Sequence, residues 1–134
     1  METTVKLKYI KQSPKKIRFV LNEVRGEKVN FALNLLDNLN KKAAIFIAKA
    51  IRSGMSNLAN EGENTLEQNE FYISDAFVDQ GPTMKRFRPA AMGRATPILK
   101  RSSHVTITLK RNKQNILNSN PTTTLQKYLF RLSV

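Results

Sequence analysis

The chain has 134 residues, no cysteine, no tryptophan and a formal net charge of +13. That length fits one domain, the lack of cysteine rules out disulfides and thiolate metal sites, and no run of about 18 apolar residues is present to span a membrane. A field this positive attracts polyanions through counterion release, nucleic acid first and an anionic membrane surface second.

Val5, Leu7 and Tyr9 alternate with Lys6 and Lys8, the period of a half-buried strand with a basic outer face. Ser13-Pro14 reads as the N-cap and first position of a helix. Ile17, Val20, Leu21 and Val24 carry it on and Gly26 stops it, while Lys15, Lys16, Arg18 and Arg25 fall mostly off the apolar stripe. Val29, Ala32, Leu33 and Leu36 predict a short second helix. A third runs from about Lys41 to Asn60, with Ala44, Ile47, Ala48, Ile51, Met55 and Leu58 inward and Lys41, Lys42, Lys49 and Arg52 elsewhere. Gly54 inside it costs about 1 kcal/mol relative to Ala, so either a close helix contact compensates or the helix is weak there.

The acidic, Asn-rich run Asn60 to Glu70 is a loop. Phe71 to Asp79 reads as a strand with imperfect alternation, and His104 to Lys110 as a cleaner one, with Val105, Ile107 and Leu109 alternating with Thr106 and Thr108. Between these strands, Gly81 to Arg101 holds Lys85, Arg86, Arg88, Arg94, Lys100 and Arg101 with Pro82, Pro89 and Pro97. Such a run cannot fill a core. It should project as a long hairpin and order against a partner, the alternative being a disordered loop. After Arg111 an Asn/Thr-rich linker leads to Leu125, Tyr128, Leu129 and Leu132 at helical spacing, either a short docking helix for RNA or a neighbouring protein, or a frayed tail.

Charge is segregated. Residues 1–52 hold twelve basic and four acidic side chains; Ser53 to Thr83 has six acids and no base; Met84 onward has eleven bases and no acid. One edge should be neutral or acidic while another surface is strongly basic, which suits docking on RNA from particular sides. Chemistry for catalysis is sparse. The single imidazole, His104, reads as an RNA contact or as an ordinary structural hydrogen-bonding group, and one His without Cys makes a zinc site improbable. The acids sit in a loop and on an outer strand face, with no catalytic pair. No Gly-rich phosphate loop follows a strand. Phe87, between Arg86 and Arg88, either stacks on an RNA base or packs within the hairpin.

Together these residues resemble the bacterial and organellar family of large-subunit ribosomal protein twenty-two. The likeness lies in Ser13-Pro14-Lys15-Lys16-Ile17-Arg18 and Val24-Arg25-Gly26, then Lys42-Ala43-Ala44 and Asn57. It continues through Val78-Asp79-Gln80-Gly81, Lys85-Arg86-Phe87-Arg88-Pro89-Ala90 and Gly93-Arg94-Ala95, and ends in Lys100-Arg101-Ser102-Ser103-His104-Val105-Thr106-Ile107. It runs in one order from about Tyr9 to Leu109. Gly54 and Phe77 depart from the family's usual residues, and Thr96 and Leu99 are less basic than in many relatives.

The resemblance implies an α+β fold: a three-stranded antiparallel sheet packed with three helices, plus a long protruding β-hairpin over about 80–103. Residues 1–111 read as a single ribosomal-protein domain; the tail, 112–134, exceeds the family core and is taken as a C-terminal extension on which the resemblance is silent. The implied function is that of a structural constituent of the large ribosomal subunit, not an enzyme, which binds large-subunit rRNA and supports assembly. Lys15, Lys16, Arg18, Arg25, Lys85, Arg86, Arg88, Arg94, Lys100, Arg101 and His104 are the expected rRNA contacts. The hairpin tip, Arg88, Pro89, Ala90, Ala91, Met92, Gly93 and Arg94, is expected to line the nascent-peptide exit tunnel, and Met84-Lys85-Arg86 matches a stem segment associated with macrolide sensitivity. Strand geometry agrees on reach, since arms of about ten residues at ~3.3 Å each extend some 30 Å. Partners implied are rRNA, neighbouring ribosomal proteins and the nascent peptide; no cofactor, metal, membrane or homo-oligomer is expected. Heavy use of Lys, Asn and Ile fits an AT-rich gene, hence plastid stroma or bacterial cytoplasm. Two rivals are a different nucleic-acid module, which would lack the usual helix-turn-helix or RNP signature here, and an RNA-processing enzyme relying on His104.

Overall fold

A computed structural model describes residues 2–60 and 70–111. Within them the order is β1 (Glu2–Ile10), α1 (Pro14–Val24), α2 (Val29–Asn38), α3 (Lys42–Asn60), β2 (Phe71–Gln80), β3 (Met84–Pro89), β4 (Ala95–Lys100) and β5 (Ser103–Arg111). This is the expected α+β architecture: an antiparallel three-stranded sheet in the order β1-β5-β2, with β3 and β4 forming a separate two-stranded ladder. Most of the acidic loop and the proposed docking helix near Leu129 lie outside the described residues.

The core lies between one face of the sheet and the helices. Val5, Ile10, Phe71, Ile73, Ala76, Val78, Val105, Ile107 and Leu109 are buried from the sheet side. Ile17, Val20, Leu21 and Val24 of α1 meet them, as do Ile47, Ile51 and Leu58 of α3. Helix α1 lies on β2, α3 lies on β1 and β5, and α2 lies mainly against α3. Full burial of each large aliphatic or aromatic side chain contributes about 1.5–3 kcal/mol, so this one layer of contacts supplies most of the driving force.

Two bulges interrupt the pleat. In β2 the pairing with β5 shifts between Ile73 and Asp75, so Phe71 and Ile73 point inward, then Ala76 and Val78. The extra residue, Ser74, donates its hydroxyl to the Thr108 carbonyl at 3.3 Å. This explains the imperfect alternation of that strand. In β1 the shift lies between Leu7 and Ile10. Tyr9, expected on the inward face, is instead 64% exposed with φ +58, and Ile10 takes the buried place. A left-handed backbone at a non-glycine residue costs roughly 1–2 kcal/mol; it is held by the Tyr9 amide, which donates to His104 Nδ1 at 2.9 Å.

Ser13 occupies the N-cap of α1 but makes no side-chain cap bond; its backbone oxygen accepts from the amides of Lys16 and Ile17. Gly26, with φ +83, ends α1 in the left-handed conformation that glycine adopts without penalty. The chain then runs along the outer edge of β2: the Gly26 amide donates to the Ile73 carbonyl and the Ile73 amide to the Glu27 carbonyl, each at 3.0 Å. At Gly54 the close neighbour is the sheet and not another helix. A Cβ there would lie 2.8 Å from Leu109 Cδ1 and 3.1 Å from Val5 Cγ2, so the missing side chain lets α3 approach β5 and β1.

The β3–β4 ladder runs from Met84 opposite Lys100 to Pro89 opposite Ala95. Its arms are six residues each, shorter than expected, and about 20 Å long at ~3.3 Å per residue. Gly81–Thr83 and Arg101–Ser102 bridge it to the sheet. Every residue of the ladder is exposed except half-buried Ile98. At the tip the Ala90 amide donates to the Arg94 carbonyl at 2.7 Å, and Met92 and Gly93 both have positive φ, +60 and +70.

Candidate nucleic-acid interface

Antiparallel pairing sorts the hairpin into two faces. Met84, Arg86 and Arg88 share one with Lys100, Ile98 and Thr96; Lys85, Phe87 and Pro89 share the other with Leu99, Pro97 and Ala95. One face thus carries two guanidinium groups and an ammonium, and the other centres on Phe87. Phe87 is 76% exposed, so it is displayed to solvent and not packed within the hairpin. The hairpin contains no carboxylate, and among the described residues no ion pair involves its cations. Arg86 reaches only the carbonyl of its neighbour Lys85, at 2.9 Å.

At the hairpin's root, cations from distant parts of the sequence converge. A cleft of about 820 Å³ lies between the root and the body, its walls including Lys11, Lys16, Lys42, Lys100 and Arg101 together with Tyr9, Met84 and Leu99. A second groove of about 740 Å³ adjoins it, sharing Lys16 and Lys42 and adding Lys15, Arg18, Lys41 and Phe19. The two form one basic tract around the starts of α1 and α3. Neither helix has an acid in its first turn. Lys15 and Lys16 stand there in α1 and Lys42 in α3, where the helix dipole disfavours positive charge by a few tenths of a kcal/mol to about 1 kcal/mol each. An anion at this tract would relieve both the like-charge crowding and the positive helix ends.

Of the expected contacts, Lys15, Lys16, Lys85, Arg86, Arg88, Arg94, Lys100 and Arg101 are all exposed. The other three carry structural bonds. The Arg18 guanidinium donates to the Val78 carbonyl at 2.9 Å, and Arg25 donates through Nε to the Ala76 carbonyl at 3.0 Å and again through Nη2. Both arginines thereby close the outer edge of β2, next to the Gly26–Lys28 segment. His104 accepts from the Tyr9 amide through Nδ1 and meets the Tyr9 ring edge to face at 4.8 Å. Ser102 donates to the Pro82 carbonyl at 2.6 Å and Ser103 to the Gln12 carbonyl at 2.9 Å, so the root is tied to the body by hydrogen bonds. A Cβ on Gly81 would lie 2.6 Å from Ser102 Oγ and 3.2 Å from His104 Nε2, so only glycine fits this junction without displacement.

Sequence alone did not single out Tyr9, Lys11, Lys41 or Lys42 for this tract. One signal was available: lysines in the first turn of two helices, against the dipole, point to an external anion. Among the described residues no group of His, Asp and Glu could hold a metal ion, and no helix is long and apolar enough to cross a membrane.

The family described as Ribosomal protein L22p/L17e matches residues 5–110. The chain is similar to the large ribosomal subunit protein uL22 of Clostridium novyi, 44% identical over 110 residues, 82% of this chain and 97% of that protein. It is similar to its counterpart in Mycoplasma capricolum, 44% identical over 113 residues, 84% of this chain and 100% of the other. For Myxococcus xanthus the figures are 40% over 114 residues, 85% and 100%.

Proposed function

This chain belongs to the ribosomal protein L22p/L17e family, a family of structural proteins and not of enzymes, and on that premise we propose that it is a constituent of the large ribosomal subunit that grips rRNA along its basic tract and hairpin. The observation that carries the reading is the hairpin itself. It is an arm of exposed cations with no carboxylate and almost no buried surface, and among the described residues no ion pair neutralises it. Such an arm is stabilised by a polyanion that surrounds it. Lys and Arg supply affinity and register through phosphates, while the fit of the arm to folded RNA supplies specificity.

In this reading Lys15, Lys16, Lys85, Arg86, Arg88, Arg94, Lys100 and Arg101 contact phosphates, the arginines by bidentate grips. His104 presents its Nε2 edge at the root. Arg18 and Arg25 add to the positive field while holding the β2 edge. The tip from Arg88 to Arg94 lines the exit tunnel, where the nascent peptide passes, and the body meets neighbouring ribosomal proteins. Residues 1–111 act as the ribosomal-protein domain and 112–134 as an extension. The relatives cited above are bacterial, which favours a bacterial-type ribosome; the plastid alternative rests on composition alone.

The test is binding of the purified chain to large-subunit rRNA across a salt series. Neutralising about eight phosphates gives a slope of log affinity against log salt of roughly −6 to −7. An affinity that does not change between low and moderate salt refutes the electrostatic grip. Loss of charge at Arg88 and Arg94 should slow incorporation into subunits without unfolding the free chain.

A further inference from the structure

We propose that the cleft at the hairpin root is a pocket for one unpaired nucleotide, extruded from its RNA strand, with the base on Tyr9 and Met84 and its phosphates on Lys16, Lys42 and Lys100. This deepens the RNA-binding reading above and rests on it. The volume, about 820 Å³, lies within the ~300–1,000 Å³ of sites that enclose small molecules. It exceeds what a phosphate group needs. The walls are mixed: four ammonium groups and a guanidinium, from Lys11 after β1, Lys16 in the first turn of α1, Lys42 at the first residue of α3, Lys100 at the end of β4 and Arg101, share the lining with the phenol of Tyr9 and the thioether of Met84. Cations alone would suit a backbone phosphate. Cations around an apolar and aromatic floor suit a base with a phosphate on either side.

The backbone supports the same assignment. The β1 bulge turns Tyr9 out of the inward face it would otherwise occupy and sets its ring on the cleft wall. The conformation is left-handed at a residue with a large side chain, and the fold fixes it twice, by the His104 Nδ1 bond at 2.9 Å and by the edge-to-face ring contact at 4.8 Å and 88°. Strain held in place by its surroundings gathers at ligand sites. Met84, 62% exposed and on the same hairpin face as Lys100, completes the apolar wall from the hairpin side. The cleft therefore exists only where hairpin and body meet, and a base seated in it would fix the angle between them.

The experiment uses the full chain and three short RNA hairpins: fully paired, with one bulged 2-aminopurine nucleotide, and with an abasic bulge. The bulged RNA should bind about tenfold tighter than the paired one, in line with one base stacked on an aromatic side chain, and the abasic bulge should lose that preference. The 2-aminopurine fluorescence should fall on binding. Tyr9→Asn keeps a residue that tolerates the left-handed backbone and removes the ring; the ratio of bulged to paired affinity should drop to about one, while Phe31→Asn, at an exposed aromatic of α2 that does not line the cleft, leaves the ratio unchanged. Equal binding of paired and bulged RNA overturns the pocket and leaves the RNA-binding reading intact, whereas failure to bind any of the three overturns that reading itself. Competition by free adenosine monophosphate at the concentration of the RNA would make this a mononucleotide site, and preferential competition by an oligo-glutamate peptide would make it a peptide site; either result overturns the proposal.

Discussion

Replacing Met84–Lys100 by Asn-Gly should leave the thermal stability of the free chain unchanged or slightly raised. Met84 faces Lys100 in the ladder, so Thr83 and Arg101 stand opposite one another and a two-residue turn can join them. No buried residue lies between 84 and 100, so the hydrophobic contribution lost is close to zero. Shortening the connection from about 17 residues to about 2 spans three doublings of loop length, and lowers the closure cost by roughly 1–2 kcal/mol. Loss of the ladder's own exposed hydrogen bonds offsets part of this, leaving a net gain of about 0–1 kcal/mol and a rise of up to about 5 °C in melting temperature. Calorimetry or a circular-dichroism melt of parent and deletion at equal ionic strength measures it. The same deletion removes Lys85, Arg86, Arg88, Arg94 and Lys100, so the salt slope of RNA binding should shrink by about 4. A fall of several degrees in melting temperature, with a smaller urea m-value, would mean that the hairpin packs on the body, and the reasoning would fail.

Other substitutions probe other contacts. Arg25→Ala should cost about 1–2 kcal/mol in urea denaturation, because it strips a charge-assisted pair of bonds from the β2 edge, whereas Lys15→Ala should lower the RNA salt slope by about 0.7–0.9 and leave stability unchanged or slightly raised, since it removes a cation from a helix N-terminus; similar stability losses in both would contradict the placement of Arg25. Leu109→Ala should cost about 2–5 kcal/mol, as expected for a fully buried side chain on the central strand. Gly54→Ala gains about 1 kcal/mol of helix propensity but forces a methyl against Leu109 at an overpacking cost of about 1–3 kcal/mol. A net loss is expected, with partial recovery when Leu109→Val is added; strictly additive effects of the pair would refute the contact.

Much of this molecule was legible because composition and period speak directly to burial. The stripes on α1, α2 and α3 mark the core, and a run with six cations, three prolines and few apolar residues cannot enter one. The tertiary roles of single residues were not legible. Arg18 and Arg25 look like free cations until β2 lies beside α1 and offers its edge carbonyls. Tyr9 fits a period-two strand until the bulge inverts it, and the side chain that bonds its amide there, His104, is ninety-five positions away. The bulge at Ser74 did leave a trace, the broken alternation of Phe71–Asp79, but the trace does not say where the extra residue sits. The root cleft was hidden for the same reason: its walls come from β1, α1, α3 and the hairpin, and no local pattern joins them.

The order β1-β5-β2 has a consequence for how the chain is made. The two outer strands never pair with each other; both wait for β5, the last strand of the described fold to leave the ribosome that synthesises it. Until Ser103–Arg111 emerges, the sheet cannot close, and pairing across such sequence distances is slow. The cationic arm, Met84–Lys100, is complete before that strand. An RNA could therefore capture the arm while the body is still open, so that assembly on RNA and closure of the sheet need not happen in sequence. They can occur as one event, with β5 inserting into a domain already anchored by its own hairpin.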